Sequence, residues 1–161
     1  MNSQLTDIDY GVGAYGKTIR IATQNKQWIL ELRKNILKLF NGDTAEFDIC
    51  KLVDTKCSST ICELLLIRVS KSTVPCVTIN DAGKQRFFFR ARKQDLEINI
   101  RWMWRQDKEE IETLLGLIDG LLNSDSGHQY LAKECDGCII ELSYNERISK
   151  SMRASSSKST K

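Results

Sequence analysis

The chain is poor in the residue types that most enzymes depend on. It has one histidine, His128, among 161 residues. That residue lies in Gly127-His128-Gln129-Tyr130, and no Ser or Cys stands at a recognisable spacing to act as its nucleophile, so a nucleophile–base pair is unsupported. Paired acids are scarce too. Glu109 and Glu110 belong to a helix N-terminus, where carboxylates complement the dipole, and Asp7 and Asp9 fall near the chain start. Long apolar runs are missing, so no helix of the roughly 20 apolar residues needed to cross a bilayer is expected. The opening MNSQLTDIDYG lacks a basic region, an apolar stretch and a small-residue cleavage site, which makes a cytoplasmic chain with no membrane partner the expectation.

What is present describes a globular domain. Hydrophobic residues make up 41% and charged residues 28%, a mix that can bury a core. The formal net charge of +3 is unevenly spread. Arg147, Lys150, Arg153, Lys158 and Lys161 follow the last acidic residue, and setting those 5 aside leaves 19 basic against 21 acidic residues, or −2. The sequence therefore reads as a flexible glycine-containing lead-in over 1–16, a single α+β domain over 17–146, and a basic, disordered tail over 147–161 with too few apolar residues to fold.

Gly11 to Thr18 reads GVGAYGKT and satisfies G-x-x-x-x-G-K-[ST], the phosphate loop. The context for that chemistry fails. A phosphate loop needs a buried strand before it and a helix beginning at its Lys-Thr, so that amides and helix N-terminus meet the phosphates. Here IRIAT follows, alternating like a strand, and a helix pattern begins only near residue 25. Gly11, Gly13 and Gly16 are read as lead-in or bulged edge. No cofactor is implied.

The rest of the pattern alternates between two periods. Trp28, Ile29, Leu32, Ile36, Leu39 and Phe40 recur at helical spacing between an N-cap at Asn25 and a stop at Gly42. A second helix starts at a capping box, Asp107 with Glu110, and carries Ile111, Leu114, Leu115, Ile118, Leu121 and Leu122. Gly116 and Gly120, one turn apart, are candidates for a close approach to a neighbouring element, with mere tolerance of glycine the plainer alternative. Between the helices, AEFDICKLV, TICELLLIRVS, VPCVTIN, QRFFFRARK and LEINIRWMWR read as strands, and CIIELSY closes the domain. Short connections such as NDAG point to an antiparallel meander of about six or seven strands with two amphipathic helices packed on it.

Two groups of side chains bear on function. Cys135 and Cys138 form a C-x-x-C, and Cys57 with Cys62 makes a looser pair. Four thiolates suffice for tetrahedral zinc, but the second spacing is wrong for a knuckle and Cys138 opens a strand. Ordinary reduced thiols are the reading, with Cys50, Cys62 and Cys76 as small hydrophobes. The second group is a strand face. Alternation places Arg86, Phe88, Arg90 and Arg92 on one side of one strand, and Arg101, Met103 and Arg105 on the matching side of the next. Arginines interleaved with an aromatic serve a nucleic-acid platform, and they serve equally a carboxylate-rich protein partner. A solvated face neutralised by Glu97 and nearby acids is the plainer alternative.

The stretch SGHQYLAKECDGCIIELSYNE, Ser126 to Glu146, resembles the end of small bacterial immunity proteins encoded beside polymorphic or contact-dependent growth-inhibition toxins. Gly127, His128, Gln129, Tyr130, Leu131, Asp136, Ile139, Ile140, Glu141, Ser143 and Glu146 carry the likeness. The resemblance implies a non-catalytic cytoplasmic protein that binds and neutralises a cognate toxin domain, the C-terminal domain of the product of the adjacent gene. It implies structural roles for His128 and Tyr130 in tying the post-helix turn to the last strand. The basic tail and arginine face depart from the acidic character of nuclease inhibitors. A small nucleic-acid-binding module on the arginine face is the alternative function.

Overall fold

Helix α1 (Lys26–Asn41) begins and ends where side-chain chemistry dictates. The Asn25 carboxamide oxygen accepts from the amides of Gln27 and Trp28 at 3.0 and 3.3 Å, satisfying two of the orphan donors of the first turn. Gly42 closes the helix with φ of 80°, a left-handed conformation that glycine adopts without penalty. Trp28, Ile29, Leu32, Ile36 and Leu39 are buried along one stripe. Helix α2 (Lys108–Leu122) opens with the reciprocal capping box: Glu110 N donates to Asp107 Oδ1 at 3.0 Å, and Asp107 N donates to Glu110 Oε2 at 2.7 Å. The helices lie against each other, and Arg33 joins them through Nε and Nη2 to the two carboxylate oxygens of Asp119. Gly116 and Gly120 are exposed, and an added Cβ at either meets nothing within 4 Å. Among the described residues nothing approaches closely there, because the apolar stripe of α2 lies on its opposite side, and the two glycines are simply tolerated.

A computed structural model describes residues 4–13, 15–58, 61–71, 75–79, 100–132 and 137–146. The fold is α+β, with two α-helices and nine strands in two sheets among the described residues. Sheet A takes the order β4 (Thr55–Cys57), β1 (Thr6–Gly13), β2 (Gly16–Thr23), β9 (Ile139–Tyr144), β8 (Gly127–Ala132). Sheet B takes the order β3 (Glu46–Asp48), β5 (Ile61–Arg68), β7 (Ile100–Gln106), β6 (Val77–Ile79).

The expected antiparallel meander needs correction, because both sheets are mixed. β1 with β4, β2 with β9, and β5 with β7 all pair in parallel. Parallel neighbours need a crossover of a dozen or more residues, and all three are far enough apart in sequence to supply it. The glycine-containing lead-in also needs correction. From Thr6 it is strand β1, antiparallel to β2, with Gly11 opposite Thr18, Val12 opposite Lys17 and Gly13 opposite Gly16. Lys17 and Thr18 lie inside β2, and Thr18 Oγ1 donates to the Gly16 carbonyl at 3.0 Å. AEFDICKLV is a strand only over Glu46–Asp48. Asp48 Oδ1 accepts from Cys50 N at 3.0 Å and Leu64 N at 3.1 Å, which turns the chain into a 3₁₀ turn at Ile49–Lys51. The NDAG turn, the QRFFFRARK strand, Glu97 and the basic tail lie outside the described residues.

The inner faces of both sheets enter one core. Ile8, Ile19, Ile21, Ile140 and Leu142 come from sheet A, and Leu64, Leu66, Val77, Trp102 and Trp104 from sheet B. Tyr10 of β1 and Trp102 of β7 bridge the sheets with ring centroids 5.2 Å apart. Trp28 Nε1 donates to Thr55 Oγ1 at 2.8 Å, tying α1 to β4. Among the described residues, the buried indole N–H groups of Trp102 and Trp104 meet no acceptor.

Candidate functional site

The outer face of sheet B is built by strand alternation over that core. Leu64, Leu66, Trp102 and Trp104 point inward, so the residues between them point out. In register, Glu63 faces Arg101, Leu65 faces Met103, and Ile67 faces Arg105. Arg101 is exposed, while Glu63, Leu65, Ile67, Met103 and Arg105 are half-buried. On the next strand Thr78 faces Met103. Arg105 Nη1 donates to Thr78 Oγ1 at 2.9 Å, and Nη2 lies 3.7 Å from Met103 Sδ. The guanidinium is thereby laid across the sheet instead of extending freely. Of the residues assigned to the arginine face, the structure thus brings together Arg101, Met103 and Arg105. Arg86, Phe88, Arg90 and Arg92 lie outside the described residues.

Sheet A presents a different surface. Asp9, Arg20, Glu141 and Tyr130 form one row across β1, β2, β9 and β8 in register. Asp7, Ala22, Ser143 and His128 form the row beside it. Desolvation raises the Asp9 carboxyl above its ordinary value, with Arg20 pulling the other way. His128 Nδ1 lies 2.8 Å from Glu146 Oε1 across the β8–β9 edge. That hydrogen bond, with the carboxylate charge behind it, raises the imidazole pKa. Tyr130 packs edge-on against His128 and Tyr15, with centroids 5.4 and 6.4 Å away. His128 and Tyr130 therefore belong to strand β8, where the sequence placed only a turn. Four residues separate α2 from β8, and GHQYLA has no β-branched residue to announce a strand.

The thiols divide by position. Cys138 is buried, its Sγ donates to the Lys17 carbonyl at 3.4 Å, and burial pushes its pKa up to about 11. Cys62 is exposed and Cys76 buried. Cys135 lies outside the described residues. Cys57 has Cys50 for its neighbour: the two thiols share a hydrogen bond that holds Cys50 well above and Cys57 below the ordinary thiol range. Sequence spacing had grouped Cys57 with Cys62. The Asp48 turn brings Cys50 round to it, and a short capping Asx pattern was the only available signal. Among the described residues, no three His, Cys, Asp or Glu side chains converge as a metal site. No described helix is long and apolar enough to cross a membrane.

A recess at the C-terminal end of α1 is lined by Thr44, Arg68, Ser70 and Lys108. Its cations are already engaged. Arg68 Nη1 donates to the Leu39 and Phe40 carbonyls at 2.8 and 2.9 Å, and Lys108 Nζ lies 5.2 Å from the Phe40 ring centroid. Set against protein-family models, curated proteins and solved structures, the chain matches none.

Proposed function

We propose that this chain is a non-catalytic binding protein that neutralises a cognate toxin domain, acting as an immunity protein in the bacterial cytoplasm. The outer face of sheet B is its contact surface. One observation carries this reading: the Leu65–Met103 and Ile67–Arg105 pairs set half-buried apolar side chains among arginines, with Glu63 beside Arg101. Protein interfaces favour that composition, an apolar and Met-containing centre with arginine at its border. A polyphosphate favours unopposed cations instead, and Glu63 in register with Arg101 weakens the described part of this face for such a ligand. The likeness of Ser126–Glu146 to immunity proteins supports the same role.

The test is co-expression with the product of the neighbouring gene. The expected outcome is growth rescue and a stoichiometric complex that survives about 1 M salt, where phosphate contacts are largely lost. Rescue without a complex, or recovery of nucleic acid that dissociates as salt rises, would overturn the reading.

A further inference from the structure

Arg101 and Arg105 share the outward side of β7 and differ in what surrounds them. Arg101 is exposed and faces Glu63 on β5, so its charge already has an acid in register. Arg105 is half-buried, and the residues set around it, Ile67, Met103 and Thr78, are neutral. Its guanidinium is held at two points: Nη1 donates to Thr78 Oγ1 at 2.9 Å, and Nη2 donates to Met103 Sδ at 3.7 Å. Contacts on two different nitrogens fix both the position and the plane of the fork. The rotamer freedom that a long side chain otherwise loses on binding is therefore already lost in the free protein. The fork carries further N–H groups for an acceptor that arrives from outside. Ile67 and Leu65 lower the local polarity, which strengthens a charge-assisted hydrogen bond formed there.

Resting on the toxin-binding reading, we infer that Arg105 is the specificity-determining residue of this face and takes an Asp or Glu carboxylate of the partner. Thr78 is its positioning residue. A planar carboxylate accepts two parallel N–H···O bonds from a guanidinium, a match that the point charge of a lysine does not supply. A single carboxylate also suits a face on which Glu63 stands, whereas a polyphosphate meets that acid as a like charge. The partner's acid has an apolar companion. The Leu65–Met103 pair lies one outward rung from Ile67–Arg105, so the partner sets an apolar side chain about 7 Å from its carboxylate. The acid gives the complex its register, and the apolar contact gives it buried area.

Titration calorimetry of the full-length protein with the inactivated product of the neighbouring gene tests this. Arg105→Lys keeps the charge and loses the fork, and it should weaken the complex at least about tenfold. Thr78→Val keeps Arg105 and removes its anchor, and it should cost about threefold or more, seen as faster dissociation. In the Arg105→Lys complex, carbodiimide should couple the introduced amine to the facing carboxyl, and peptide mass spectrometry then identifies that acid. Changing the acid to its amide should weaken binding to the wild type at least about tenfold and to Arg105→Lys less than about threefold, because the two changes remove one interaction. A complex that Arg105→Lys and Thr78→Val leave at wild-type affinity, or losses that simply add, overturns the inference and leaves the toxin-binding reading standing. Absence of any complex with the wild type overturns both. Where either variant folds poorly, an acid-to-amide scan of the partner against the wild type decides, and a scan with no tenfold loss overturns the inference.

Discussion

The two sheets share a core and present opposite outer surfaces. Sheet A sets Asp9, Arg20, Glu141 and Tyr130 side by side, so its charges alternate and answer one another across the strands. Sheet B sets Leu65 beside Met103 and Ile67 beside Arg105, and leaves these side chains half-buried. A self-compensated polar face gains little from a partner, because each contact displaces one already made. A face of half-covered apolar groups bordered by arginine has burial still to gain. Alternation of the same kind along the strands thus yields a surface suited to water on one side and one suited to a partner on the other.

The severest way to break the comparison is to remove what both faces rest on. Trp104 is fully buried beneath Met103 and Arg105, and Trp104→Ala should destabilise the protein by about 3–5 kcal/mol. Denaturant unfolding followed at both sheets should still give one transition; separate transitions would show that the sheets do not share a core. Next in size is Arg101→Glu with Arg105→Glu. The double variant should weaken the toxin complex at least about 100-fold, or about 2.7 kcal/mol, while circular dichroism and melting temperature stay put. Wild-type affinity there would move the contact surface elsewhere. The counterpart on sheet A is Tyr130→Ala with Glu141→Ala, for which titration calorimetry should find affinity within about twofold of wild type, as for residues outside a hot spot. A large loss would reverse the assignment of the two faces.

The smallest effect is a pH dependence confined to sheet A. Because the folded protein raises the His128 pKa, the His128–Glu146 pair contributes its full stability below about pH 6.5, the ordinary histidine value, and loses it as pH rises through the folded value. Both side chains are more than a third exposed, so the contribution is that of a surface pair, at most about 1 kcal/mol. His128→Gln should remove this slope from a melting-temperature series across pH 6–8, and an unchanged slope would assign it to another group.

Legibility from sequence follows the range of the interactions. Both helices were readable, because the stripe, the Asn25 and Gly42 termini and the Asp107–Glu110 box are all local. The orientation of Arg101, Met103 and Arg105 was readable, since a period of two needs only the strand itself. Strands β1, β4 and β8 were not. Glycines mask the first, Thr55–Cys57 is too short to show a period, and GHQYLA lacks β-branched residues. Parallel pairing was illegible for a different reason: nothing in a strand's own residues names a partner far along the chain. The same holds for the Asp9–Arg20–Glu141–Tyr130 row, whose members come from both ends of the domain, and for Cys50 with Cys57, which only the Asp48 turn joins.

The parallel pairing of β2 with β9 also sets a timetable for synthesis. β2 ends at Thr23 and β9 at Tyr144, and β9 sits in sheet A between β2 and β8. A nascent chain that has made everything up to residue 138 still exposes one long edge of the β4–β1–β2 ribbon and has no neighbour for β8. Sheet A therefore closes only after Tyr144 has cleared the ribosome, and a truncated or stalled product is left with open strand edges that quality control can recognise.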